Sequence, residues 1–185
     1  MKIGLQGISP LVFSGLRSIF ILPLLFFIPK PNVSWKFILL MGTLIGTIKL
    51  PLMLLAIHLG VAAGLSSILI QVQAFFTVLL ALFFFKQKPT FFNWLGMAIS
   101  FVGIGLIALQ VGGEASFLGL LIILISALFW AISNLIIQKK GKNLDMLGLT
   151  AWMNLVPPIP LFVLSFFLYG EENFITSFAN LNWNS

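Results

Sequence analysis

The stretch that most constrains this chain is 62–88, which reads AAGLSSILIQVQAFFTVLLALFFFKQK. About 20 apolar residues in helical form cross the hydrocarbon core of a bilayer, so the run predicts a transmembrane helix. It stops abruptly at Lys86 and Lys88, and Pro89 follows at once. Gln71 and Gln73 sit near its middle. Neither amide finds water in lipid, so each needs a partner inside a helix bundle or a wet cavity. The stretch thus asks for a bilayer outside and an enclosed polar space within.

The rest of the chain repeats that demand. Six apolar segments, at about 10–28, 37–59, 62–85, 91–111, 117–138 and 147–169, each come near spanning length. Their connections are short and rich in Gly, Pro, Asn and Lys, which makes consecutive helices antiparallel neighbours. Of the 185 residues 60% are hydrophobic and only 8% charged, a balance that belongs to polytopic membrane proteins. The expected fold is therefore all-α and integral to the membrane, with six transmembrane helices and the lipid bilayer as its first partner. The net charge of +6 comes from residues clustered at helix ends, as membrane topology requires, and is not read as nucleic-acid binding. With no Cys and one His, disulfides, thiolate metal sites and multi-His metal sites are excluded, and no metal or cofactor is expected. The opening MKIGLQGISP lacks the apolar core and cleavage site of a signal peptide.

The lysines orient the helices. Lys30 and Lys36 flank the first connection, Lys86 and Lys88 the third, and Lys139, Lys140 and Lys142 fill the fifth. The positive-inside rule puts these three connections in the cytoplasm and both chain ends outside, which suggests that a preceding helix is missing. A faint repeat agrees. Ser14-Gly15-Leu16-Arg17 and Ala151-Trp152-Met153-Asn154 are each followed, six residues after the polar member, by Pro23 and Pro160. If these segments correspond, the unit is five helices. An odd unit inverts its topology, which is a transporter signature.

Lys49 is the most informative charge, roughly 15 Å from either face at 1.5 Å per residue. A lysine so deep cannot snorkel comfortably and costs about 2.5–3.5 kcal/mol. It either faces a cavity and meets an anionic group such as a substrate carboxylate, or bonds helix carbonyls freed by Pro51. Gln71 and Gln73 lie about 200° apart around a helix, so one lines the cavity and the other bonds a neighbouring helix. Ser66, Ser67 and Thr77 are expected to bond neighbouring helices as well. Trp130 and Asn134, one turn apart, share a face near Ser133, with Asn154 at comparable depth; they suit a small zwitterion or serve as helix–helix glue. Arg17 either attracts anions in the outer vestibule or anchors at the interface, and His58 reads as an ordinary interfacial residue. Gly42 and Gly46 have GxxxG spacing, read as packing within the chain rather than between chains. Pro23, Pro51, Pro157, Pro158 and Pro160 should kink their helices. Asp145, Glu114, Glu171 and Glu172 all lie at helix edges, so no buried-carboxylate proton relay is expected. Without clustered carboxylates, Cys or paired His, the chain does not read as an enzyme.

PLVFSGLR (10–17), AGLSSILIQVQAFFTVLLA (63–81), NWLGMAISFVGIGLIAL (93–109) and GLLIILISALFWAISNLIIQKK (119–140) resemble the EamA family of the drug/metabolite transporter superfamily, and more narrowly its O-acetylserine/cysteine exporter type. The QVQAFF core is the most specific part. The resemblance implies ten helices in two inverted five-helix repeats, of which this chain would hold helices two to seven. Residues 1–112 would be an incomplete first repeat and 113–185 the start of the second, with a central site at the repeat interface. It implies an inner (plasma) membrane exporter of small amino-acid-like metabolites that works by alternating access. The residues expected from their own depth and chemistry to bind the substrate are Lys49, Gln71, Gln73, Trp130, Asn134, Asn154 and Arg17. The alternative is a non-transporting membrane scaffold or remnant subunit. A dimer mate or a complementing fragment is left open as a partner.

Overall fold

The computed structural model describes residues 10–86, 89–110, 116–141 and 143–167. Lys88, Glu114, Lys142, Glu171, Glu172 and the expected repeat boundary at 112 lie outside them. The described residues are helices and their connections, with no strand among them. Among the described residues four helices are long and apolar enough to cross a membrane: Trp35–His58, Ala63–Phe85, Phe117–Lys140 and Met146–Phe167. Two further apolar helices, Leu11–Phe26 and Phe91–Gly103, are shorter over the residues whose side chains are described. The chain divides into two compact units, Met1–Pro51 with Gly141–Ser185, and Leu52–Lys140.

In the first unit α1 (Pro10–Ile21) opens on a proline, which suits a helix start because its missing N–H would be unpaired there anyway. At Pro23, near the start of the next stretch, the chain tightens into a 3-10 helix, Leu22–Phe26. Helix α2 (Trp35–Met41) starts at Ser34, whose hydroxyl accepts from the Phe37 N–H at 3.3 Å. It runs straight into a π-helical stretch, Gly42–Lys49, and then into α3 (Leu50–His58). Pro51 explains the change of pitch. It has no N–H to donate one turn back, and its ring would crowd an α-helical carbonyl. A widened turn relieves both, and the Leu50 N–H reaches Ile45 O, five residues back.

Helix α8 (Met146–Met153) is capped by Asp145, whose carboxylate accepts from the Gly148 N–H at 2.9 Å. Residues 154–157 form turns and bends, and helix α9 resumes at 158–167. Pro157, Pro158 and Pro160 explain the gap, since prolines are tolerated at a helix start and not in its interior. The gap packs against the π-helical stretch. A Cβ at Gly42 would stand 2.6 Å from Met153 O, and one at Gly46 would collide with the Pro157 ring. Both glycines of the GxxxG motif are therefore used within the chain. Ile38, Met41, Leu149 and Leu161 complete this core, each nearly inaccessible.

In the second unit the chain turns at Gly60 (φ 96°), a left-handed conformation that favours glycine. Helix α4 (Ala63–Leu69), a 3-10 turn at Ile70–Val72, and α5 (Gln73–Phe85) make one span. Helix α6 (Phe91–Gln110) packs on α4, while α7 (Phe117–Lys140) packs on α4 and α5. Along α7 the buried residues are mostly small or β-branched, at helical spacing: Gly119, Ile123, Ala127, Ala131 and Leu135. A Cβ at Gly119 would lie 2.6 Å from Val61 Cγ2, so α7 comes close to the backbone of the α3–α4 turn. Leu65, Leu69, Ile70, Ile123 and Ala127 form the core, with Trp130 and Phe76 against it.

Candidate functional site

Three spans leave α geometry near their middles: at Gly42–Lys49, at Ile70–Val72 and at 154–157. Discontinuous helices inside a membrane expose backbone groups that helix bonding no longer satisfies. Such backbone is tolerated where protein or a cavity encloses it. Lys49, Gln71, Gln73 and Asn154 lie at or beside these breaks, whereas Arg17 stands on α1 and Trp130 and Asn134 stand on the unbroken α7.

In the first unit Lys49 is the last residue of the π-helical stretch and is half-buried. Arg17 stands exposed on α1, within electrostatic range, so the two cations repel each other. The acidic residue within the described part of this unit, Asp145, is occupied in capping α8. An anion approaching Lys49 and Arg17 therefore meets net positive charge. Asn154 is buried at the break, and its Nδ2 donates to Thr150 O at 2.6 Å. Its amide thus serves the end of α8. The hydroxyls of Ser14 and Thr47 are buried without a hydrogen-bond partner among the described residues.

In the second unit Asn134 Nδ2 donates to Gln73 Oε1 at 2.6 Å and ties α7 to the start of α5. Each amide spends one polar group on the other. Trp130 lies one turn before Asn134 and is half-buried against the core. Gln71 belongs to the 3-10 turn and is exposed, lining a cleft shared with α6. His58 is exposed at the end of α3.

One expectation is corrected. Ser67 and Thr77 do not bond neighbouring helices. Ser67 donates to Gly64 O at 2.6 Å and Thr77 to Gln73 O at 2.7 Å, both within their own span. Ser100 and Ser133 do the same, to Gly96 O and Phe129 O. A short hydroxyl reaches the carbonyl one turn back without any ordering of a second helix, so this local bond forms first. Ser66, expected to behave likewise, is buried with no partner among the described residues.

Sequence reasoning also missed an interfacial cluster. Trp152 Nε1 donates to Ile28 O at 3.0 Å, and its ring meets Trp35 edge-on at 5.7 Å. Lys30 Nζ lies 4.9 Å from the centre of the Trp35 ring. The signal available was the neighbourhood of Lys30, Trp35 and Lys36, the composition of a membrane–water interface.

The profile of the EamA-like transporter family matches residues 1–109. This chain belongs to that family. EamA-like proteins are transporters rather than enzymes, and this one is a multi-pass membrane protein with an all-helical fold. It is 31% identical to a probable amino-acid metabolite efflux pump of Escherichia coli K12, over 98% of this chain and 63% of that protein. The identity is 29% to a probable amino-acid metabolite efflux pump of Salmonella typhimurium, over the same shares. It is 28% to the uncharacterized transporter YoaV of Bacillus subtilis, over 90% of this chain and 60% of that protein. The chain thus spans about three fifths of the length of these relatives. No solved structure matches it.

Proposed function

We propose that this EamA-like chain acts in the export of small amino-acid-like metabolites, of the O-acetylserine or cysteine kind, across the inner (plasma) membrane by alternating access. It would do so as part of a ten-helix inverted-repeat transporter, with residues 1–112 from the first repeat and 113–185 from the second. The observation that carries the reading is Lys49, a half-buried cation at mid-span on a non-α stretch. Keeping a charge there is expensive, and a substrate carboxylate repays the cost. Arg17 adds positive potential for the same anion. Gln73, Trp130, Asn134 and Asn154 are the further residues proposed to bind the metabolite, through an aromatic face and side-chain amides. The breaks at mid-span are where helices of alternating-access carriers bind and bend. Two relatives with efflux-pump names support the substrate class.

The test is efflux of radiolabelled O-acetylserine and cysteine from proteoliposomes, using both this chain and a version extended to the length of its relatives. Lys49→Met should abolish efflux, and Lys49→Arg should retain part of it. If neither version moves these or other amino acids, the substrate assignment fails. One observation favours a scaffold without transport: Gln73 and Asn134 bond each other, and Asn154 bonds its own helix, as packing residues do. Efflux from neither version would favour that second reading, whereas efflux unchanged by Lys49→Met would remove Lys49 from the substrate site.

A further inference from the structure

The second unit holds a cleft of about 510 Å³ between α5 and α6, with no ionisable side chain among the described residues that line it. Its volume falls in the range of sites that hold small organic molecules. Gln71 reaches it from the 3-10 turn, and Asn93 and Ser100 reach it from α6. Phe75 and Phe101 meet edge-to-face at 4.7 Å in its wall, beside Met97. Gly96 leaves the wall open, with no atom within 4 Å of where a Cβ would stand.

The polar groups are unequally occupied. Ser100 donates to Gly96 O at 2.8 Å, and Asn93 Oδ1 accepts from the Thr90 hydroxyl. The Gln71 amide makes no hydrogen bond to the described residues. An amide at mid-span has no water to turn to, so it gains most from whatever brings a partner to it. The wall around it offers aromatic faces and a thioether, which pack well against flat rings. It offers no cation for a carboxylate and no anion for an amine.

We propose that this cleft binds an uncharged amphiphile, with an aromatic body against Phe75, Met97 and Phe101 and an amide or ester group hydrogen-bonded to Gln71. The site is separate in chemistry from Lys49: it selects neutral molecules, whereas a cation selects anions. It gives Gln71 a ligand of its own, apart from the metabolite proposed above.

The purified chain in phosphatidylcholine nanodiscs is irradiated with a diazirine derivative of N-benzylbenzamide, and adducts are mapped by peptide mass spectrometry. Labelling should saturate, concentrate on 71–78 and 92–101, and disappear under excess N-benzylbenzamide. Gln71→Leu should weaken apparent affinity about fivefold, the worth of one net hydrogen bond. Gly96→Leu should remove the competable labelling by filling the cleft. Both substitutions fall at exposed positions, and the unsubstituted protein decides the matter even if a variant fails to fold. Labelling that never saturates and spreads over all lipid-facing helices would overturn the proposal. So would equal labelling of Gly96→Leu, or a matching benzoate probe that binds the same peptides as strongly. Photolabelling requires no transport, so its failure would leave the export reading standing, and failed export would leave this site standing.

Discussion

Trp35–His58 and Phe117–Lys140 are both 24 residues long, and they solve the same crossing in different ways. The first gives up α geometry for eight residues and meets the end of α8 and the irregular segment after it, 154–157, at Gly42 and Gly46. The second is unbroken α-helix, lined with Gly119, Ser126, Ala127 and Ala131, and packs as a rod. Its polar groups are settled by hydrogen bonds, Ser133 one turn back on Phe129 O and Asn134 across to Gln73 on α5. The contrast follows from proline. Pro51 forces the first span to reorganise its bonding, while α7 has no proline at all. Lys49 sits in the reorganised span, where the backbone is least committed.

Substitutions that probe close approach should separate the two designs most sharply. Gly46→Leu forces a branched side chain into the Pro157 ring and should cost about 3 kcal/mol or prevent folding, the upper end for overpacking. Thermal unfolding in detergent reads this; a loss under 1 kcal/mol would mean that the break yields easily. Trp152→Phe removes the bond to Ile28 O and should cost about 1 kcal/mol by the same assay. In the rod-like region a double-mutant cycle of Gln73→Leu and Asn134→Leu should give a coupling of about 0.6 kcal/mol, the average for hydrogen bonds between membrane helices. A coupling above 2 kcal/mol would make the pair a main structural tie rather than a modest one. The smallest effect belongs to Gly96→Ala. Nothing stands within 4 Å of that position, so stability should rise by about 0.4 kcal/mol through the unfolded chain alone. A loss there would show that α6 is packed more tightly than its open glycine implies.

Much of this was legible in the sequence, because hydrophobic runs and prolines act locally. The apolar segments at 37–59, 62–85, 117–138 and 147–169 match the four crossing helices closely. Pro157 and Pro158, expected to kink their span, stand at the break in it. The family was legible too, from the stretch around QVQAFF and its companions. Two things were not. Pro51 predicted a bend, but whether a helix answers by kinking or by widening depends on the neighbour it packs against. At Ile70–Val72 no Gly or Pro announces the 3-10 turn, so nothing local could show it. The hydroxyls were misread for a related reason: spacing along a helix says which residues face a neighbour, not whether a bond one turn back is cheaper.

A wide turn holds more chain than the crossing needs. With Pro51 also replaced, removing a single residue between Gly42 and Lys49 lets the remaining ones close into ordinary α pitch, with the flanking turns left where they are. The same deletion inside α7 has no slack to draw on and would rotate everything beyond it by about 100°. One span of this protein therefore carries a place where its length can change by a residue without the two ends losing register, and α7 does not.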